Sequence, residues 1–232
     1  MTQSRLYLAT ALLAFAGAAQ AELTVTPAVV SDYDFRGISQ TAKSPALQLG
    51  LNYATESGLY VGAWGSNLDF GSGDPKVEVD LNVGFAGGDA AESFGYDAGV
   101  VYYTYSGASD FNFPEAYVGL SRGWFAGKLW YSTDFGGVGE SAYYVEGNGS
   151  FPLAQDFTLL AHVGYSGGNY WDAAYGNGYT DWSVGVSRNF GKVAVSLKFV
   201  DGSNLPDGNS KIFSTDSKVV ATISTTLPWS AD

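Results

Sequence analysis

The sequence predicts an all-β protein, a transmembrane antiparallel up-and-down β-barrel of about twelve strands. Three observations predict it: side-chain alternation, charges that in six of the strands keep to one parity with Asp201 at a loop edge as the exception, and connections that alternate between short and mostly longer. The stretch Lys218–Trp229 shows the first most clearly. Val219, Ala221, Ile223, Thr225, Leu227 and Trp229 share one parity, and Lys218, Val220, Thr222, Ser224 and Thr226 share the other. Successive side chains of a strand point to opposite faces, so one face is apolar and the other mostly small and polar. A tilted strand of about 9–11 residues is what crosses a bilayer.

Residues 1–21 read as a cleaved secretory signal peptide. Arg5 supplies the basic start, Leu6 to Ala18 the apolar core, and Ala19-Gln20-Ala21 the small-x-small site, with cleavage expected before Glu22. The barrel domain is then 22–232. Loss of Arg5 takes the formal charge from −12 to −13, an overall acidity that argues against nucleic acid and against anionic head groups as partners. No cysteine is present, which excludes a disulfide framework and thiolate chemistry. His162 is the only histidine, so poly-His metal sites are excluded, and no cofactor is implied.

Twelve strands are expected at about 23–35, 45–56, 59–68, 76–86, 94–105, 113–121, 124–135, 141–151, 157–166, 179–190, 192–201 and 218–229. In the first, Leu23, Val25, Pro27, Val29, Tyr33 and Phe35 oppose Thr24, Thr26, Asp32 and Asp34. Leu47, Leu49, Leu51 and Tyr53 oppose Gln48, Gly50 and Asn52 in the second. Val77, Val79, Leu81, Val83 and Phe85 face away from Lys76, Glu78, Asp80 and Asn82 in the fourth. The third, with Leu59 and Trp64 on opposite parities, has no evident orientation. The ninth and eleventh repeat the split around His162 and Lys198. In the tenth, Arg188 shares the parity of Trp182, Val184 and Val186; near the strand end it can snorkel to the interface. A charge on the lipid face costs about 2–4 kcal/mol at mid-bilayer, which accounts for the avoidance elsewhere.

Ser57-Gly58, Arg122-Gly123 and Gly191 suit tight hairpins. They alternate with polar segments at Gly37–Ser44, Asp69–Pro75, Ser106–Asn112, Gly136–Glu140, Gly167–Gly178 and Gly202–Ser217. Short periplasmic turns and longer external loops are the habit of outer-membrane barrels. Aromatics near strand ends, Tyr33 and Phe35 outside and Phe85, Phe151, Phe157, Phe190 and Trp229 inside, are expected to form the interfacial girdles. A soluble secreted barrel or sandwich would also alternate, but its inner parity would not be this rich in Gly, Ser, Thr and charge.

The run Val30-Ser31-Asp32-Tyr33-Asp34-Phe35-Arg36-Gly37-Ile38-Ser39-Gln40, with Pro45-Ala46-Leu47-Gln48 and Gly58–Asn67, resembles the TorF family of Gram-negative proteins taken to be porins. The resemblance implies an outer-membrane barrel and a pore role, and it carries no site residues.

Asp32, Asp34 and Arg36 are expected on the lumen side near the external mouth, as a charged constriction or as a salt-bridge cluster fixing the first loop. Lys76, Glu78, Asp80, Asp97, Glu115, Lys128, Glu146, His162 and Lys198 are the deeper pore-lining candidates. The function expected is passive diffusion of small polar solutes or ions, mildly cation-preferring. A non-conducting structural or adhesive barrel, a lipid hydrolase and a soluble binding barrel are the alternatives. Catalysis is disfavoured because Ser166 lies about 13 Å along the strand from His162, beyond the reach of an activated nucleophile. Gly136-Gly137-Val138-Gly139 lacks the helix of a phosphate loop, and Asp201 to Asp216 lacks calcium-loop spacing. Expected partners are outer-membrane lipids, lipopolysaccharide and small solutes; an oligomer is compatible with the sequence.

Overall fold

The computed structural model describes residues 22–71, 75–204 and 211–229; the segment expected to be a signal peptide lies outside them. Twelve strands close into an antiparallel barrel. They are β1 (Glu22–Val30), β4 (Ala46–Ala54), β5 (Leu59–Asn67), β6 (Val77–Gly88), β7 (Gly95–Tyr105), β8 (Phe113–Arg122), β9 (Phe125–Ser132), β10 (Ala142–Pro152), β11 (Phe157–Gly167), β12 (Tyr179–Phe190), β13 (Val193–Ser203) and β14 (Lys218–Thr225). Each pairs with its neighbour in sequence, and β1 pairs with both β4 and β14. A two-residue pair, β2 (Asp34–Phe35) and β3 (Ile38–Ser39), forms a small hairpin in the first loop, and a short helix, α1 (Asn169–Tyr175), lies in the fifth. Among the described residues no helix is long and apolar enough to cross a membrane. Strands do the crossing here, because closure lets every ladder satisfy its own backbone groups.

The expected strands form close to their expected ends. The exceptions are the first, which stops at Val30, the seventh, which stops at Ser132, and the last, whose ladder stops at Thr225 before a single bridge from Leu227 to Val25. All six long connections leave one end of the barrel. Both chain ends and the five short turns lie at the other. Two of those turns are two-residue hairpins, Gly123-Trp124 and Gly191-Lys192, and each glycine takes the positive φ (58° and 62°) that such tight turns demand.

Side-chain burial follows the parity rule. Leu47, Leu81 and Ile223 are 70%, 51% and 53% exposed, whereas Glu78 and Glu115 on the alternate face are 2% and 1% exposed. A fold with its greasy residues outside and its carboxylates inside is solvated by lipid. β5, which periodicity left unoriented, faces Tyr60, Trp64 and Ser66 inward and Leu59 and Val61 outward. The predicted external girdle needs correction. Tyr33 and Phe35 are turned into the barrel, and the aromatics at that outer rim are Tyr102, Tyr131, Tyr143 and Tyr165. Phe85, Phe151, Phe157, Phe190 and Trp229 stand at the periplasmic end as expected.

The seam between β1 and β14 is the thinnest in the barrel. Val25 and Leu227 exchange both backbone hydrogen bonds (2.9 and 2.8 Å), and Ser31 N–H donates to Ala221 O at 2.9 Å. The register continues through Ala28↔Ser224 and Val29↔Ile223. Pro27 therefore falls opposite Thr225 at a position where both residues should exchange bonds, and it has no N–H to give. Restoring the donor with Pro27→Val is expected to stabilise the barrel by about 1 kcal/mol, read as a higher urea midpoint for unfolding from lipid or detergent.

Candidate functional site

A barrel of twelve strands spaced about 4.8 Å apart and tilted about 40° has a backbone radius of about 12 Å. That bore is wide enough for water, and here a loop crosses it. Residues 31–45 turn inward from the rim between β1 and β4 instead of extending β1. The β2–β3 hairpin ends in the two-residue turn Arg36-Gly37, both at positive φ (52° and 85°). Such turns favour Asn-Gly or Asp-Gly, so an arginine there carries backbone strain of about 1 kcal/mol or more.

The far wall holds that arginine. Arg36 donates to Glu115 on β8 through both terminal nitrogens, at 3.0 and 2.7 Å. Counting round the barrel, β8 to β10 stand opposite the β1–β4 seam from which the loop starts. Side-chain exposure is 8% for Arg36 and 0% for Glu115, a dry bidentate pair. Tyr103 donates to the same carboxylate at 3.0 Å. The guanidinium also lies 4.3 Å from the Tyr144 ring centroid, 4.7 Å from Phe35 and 5.6 Å from Trp130, within cation–π range.

Near the start of the loop, Lys218 on β14 reaches Asp34 at 2.6 Å and lies 3.8 Å from Asp32. Asp32 accepts the Ser39 hydroxyl at 2.6 Å, and Asp34 accepts the Gly37 N–H at 3.1 Å. Neighbouring loops fasten the rest, through Ser39 N–H to Ser214 O and Asp69 N–H to Gln40 O, both 2.9 Å. Lys43 meets Asp216 at 2.5 Å on the exposed side, and that hydrogen bond holds the Asp216 carboxyl below the usual range. Asp32, Asp34 and Arg36 thus do not pair with one another. They anchor the loop to two opposite walls.

Two further networks lie on the filled wall. Lys128 on β9 pairs with Asp97 on β7 at 2.7 Å; Tyr60 donates to Asp97 at 2.5 Å and also meets Tyr117. Trp130 donates to Glu146 at 2.8 Å, and Asn148 donates to Glu146 at 2.9 Å, which turns the Asn148 carbonyl toward His162 Nδ1 at 2.8 Å. His162 Nε2 lies 2.9 Å from the buried Asp181 and 3.0 Å from Tyr144 Oη. Both ring nitrogens are occupied by these partners, and no serine or threonine hydroxyl takes part. The arrangement is a clamp between β10, β11 and β12.

Glu78 and Asp80 on β6 face inward beside Tyr105, whose hydroxyl is 3.3 Å from Glu78. Lys198 on β13 lies over Gly185, where a β-carbon would collide with it; it makes no hydrogen bond or ion pair among the described residues. Lys76 is the exception to the candidate set. It precedes β6 at the rim, bonded to Gly71 O at 2.5 Å, with its side chain 57% exposed. Its parity is that of the lumen, but the ladder starts one residue too late to carry it inside.

Asp181, Lys218, Tyr144, Trp130 and Tyr103 belong to these networks without having been singled out from sequence. The parity rule that selected Glu146 selects Asp181 and Lys218 equally. The partners across the barrel carry no sequence signal. The opposite wall, from β12 through β14 to β1, is lined mainly by small groups, among them Ser187, Ser196, Thr222, Thr26 and Thr24, with Asp181, Lys198 and Lys218 as its charged members. The lumen is therefore lopsided, with an aromatic and ionic half facing a small polar half.

This barrel is similar to solved outer-membrane proteins. A KdgM porin matches with a TM-score of 0.57 at 8% identity, over 89% of this chain and 99% of that one. A NanC porin matches with a TM-score of 0.57 at 12% identity, over 88% and 98%. A KdgM porin in complex with disordered oligogalacturonate matches with a TM-score of 0.54 at 9% identity, over 90% and 99%. At these identities the likeness is one of fold, and with the apolar outer belt it makes the chain an outer-membrane barrel. No curated protein matches the sequence. The porin-like relation expected from the opening third is supported by these structures, while the family model that matches does not carry the TorF name. From residue 14 to residue 227 the sequence fits one family model, and the chain belongs to that family, described as "Bacterial protein of unknown function (Gcw_chp)".

Proposed function

We propose that the protein is a narrow outer-membrane pore for passive diffusion of small polar solutes or ions, with a mild preference for cations. The observation that carries this reading is the closed barrel whose lumen is divided by an arginine-tipped loop, leaving a small polar wall on one side. Solutes would pass between the loop and the β12–β14 wall, where Ser and Thr hydroxyls can replace water. Carboxylates outnumber Arg and Lys among the inward-facing groups described above, so the field favours cations. It is the wrong sign for a polyanion such as the oligogalacturonate held by the KdgM porin. External loops would meet lipopolysaccharide.

One feature supports a second reading, a barrel that does not conduct: the loop is anchored at both walls and could fill the bore. Planar-bilayer recording separates the two. The parent is expected to give small conductance steps whose reversal potential in a potassium chloride gradient favours potassium. Chloride preference would remove the cation reading. Absence of steps, both in the parent and in a variant whose residues 34–39 are replaced by a Gly-Ser turn, would remove the pore.

A further inference from the structure

Cations on the lipid-facing parity of the barrel strands are confined to the periplasmic end. Arg188 is one of them, two residues before the end of β12, and its register partner on β11 is Phe157. Its guanidinium lies 5.0 Å from the Phe157 ring centroid and 5.1 Å from that of Phe190. Two aromatic rings thus flank the cation on the outer wall. Its Nε is buried without a hydrogen-bond partner, and among the described residues no carboxylate pairs with it. Arg122, the other such cation, is exposed and contacts a single ring, Phe94, at 5.0 Å.

An uncompensated guanidinium facing lipid is costly unless a counter-charge is supplied. Lipid head groups are the available source at this height, and phosphate matches the fork of a guanidinium in shape and charge. We propose that Arg188, framed by Phe157 and Phe190, is a binding site for the phosphate of a phospholipid head group in the periplasmic leaflet. The two rings flank the guanidinium and their outer edges meet the first carbons of the acyl chains, while the terminal nitrogens donate to phosphate oxygens. The site is independent of whether the lumen conducts.

Native mass spectrometry of the whole barrel in non-ionic detergent, titrated with phosphatidylglycerol, tests it. The parent is expected to retain one lipid more tightly than the rest. Arg188→Gln is expected to lower that retention about tenfold, the scale of one charge-assisted contact, and Phe157→Leu with Phe190→Leu to lower it part-way. Arg122→Gln is expected to leave it unchanged. Heat-modified mobility on gels confirms that each variant is folded, which this outer-face position should permit. Equal losses for the two arginine variants would mean general surface charge and overturn the site. Displacement of the lipid by millimolar inorganic phosphate alone would overturn the assignment to a lipid.

Discussion

Arg36→Ala is expected to destabilise the barrel by about 3–5 kcal/mol, the cost of leaving a buried charge without its partner. Glu115 is fully buried at the side chain, and the Tyr103 hydroxyl that remains to it is one neutral donor in place of two charged ones. The strained turn geometry would relax in the variant, but at about 1 kcal/mol that gain is too small to offset the loss. Arg36→Met combined with Glu115→Leu should recover most of the stability, since an apolar pair of similar volume removes both desolvation penalties. The same substitution should act on the pore. Without its anchor on β8 the tip of the hairpin loses its hold on the far wall and is held from its base, by Lys218 and by the bonds of Ser39, Gln40 and Lys43 to neighbouring loops, so single-channel recordings should show larger and noisier openings than the parent. Urea unfolding from detergent micelles and conductance therefore give two independent readings. An Arg36→Ala protein within 1 kcal/mol of the parent, with unchanged steps, would show that the latch neither holds the loop nor limits the bore.

The barrel was legible in the sequence because its solvent imposes a rule on every strand. Hydrocarbon penalises charge at each outward position, so Val77, Val79, Leu81, Val83 and Phe85 keep one parity and Glu78 and Asp80 the other. The same rule says nothing once the chain leaves the membrane. Tyr33 and Phe35 continue the odd parity of β1 and read as lipid-facing. Their aromatic partners, Trp64 for Tyr33 at 5.2 Å and Tyr103 for Phe35 at 6.1 Å, lie on other strands, and only the closed barrel brings them near. The turn carried the only local hint. In Phe35-Arg36-Gly37-Ile38 the Arg-Gly dipeptide is flanked by two residues that pair as strand, yet arginine in place of Asn or Asp obscured the hairpin. Glu115 and Arg36 were both legible as lumen residues. That they meet is a fact of barrel closure, 79 residues apart in sequence, and no periodicity encodes it.

Val83→Arg is expected to cost about 2–4 kcal/mol, the penalty for a cation on the lipid face at mid-bilayer. Val83 lies at the middle of β6, paired with Val61 on β5 and Val100 on β7, and is 49% exposed. It has no carboxylate beside it to take the charge, and it is too far from either rim for the side chain to snorkel out completely. Thr222→Arg on β14 places the same side chain at a similar depth on the opposite parity. There it enters the small polar wall near Ser196, where the water of the lumen solvates it although Lys198 and Lys218 stand on the same wall, and the expected cost is below that of Val83→Arg. The two substitutions also separate in function. Thr222→Arg should shift the reversal potential toward chloride, because it adds a fixed positive charge to the proposed path. Val83→Arg should leave ion preference alone in whatever fraction folds. Stabilities measured by urea unfolding in the same lipid decide the matter: equal costs at the two positions would mean that the apolar parity does not face hydrocarbon.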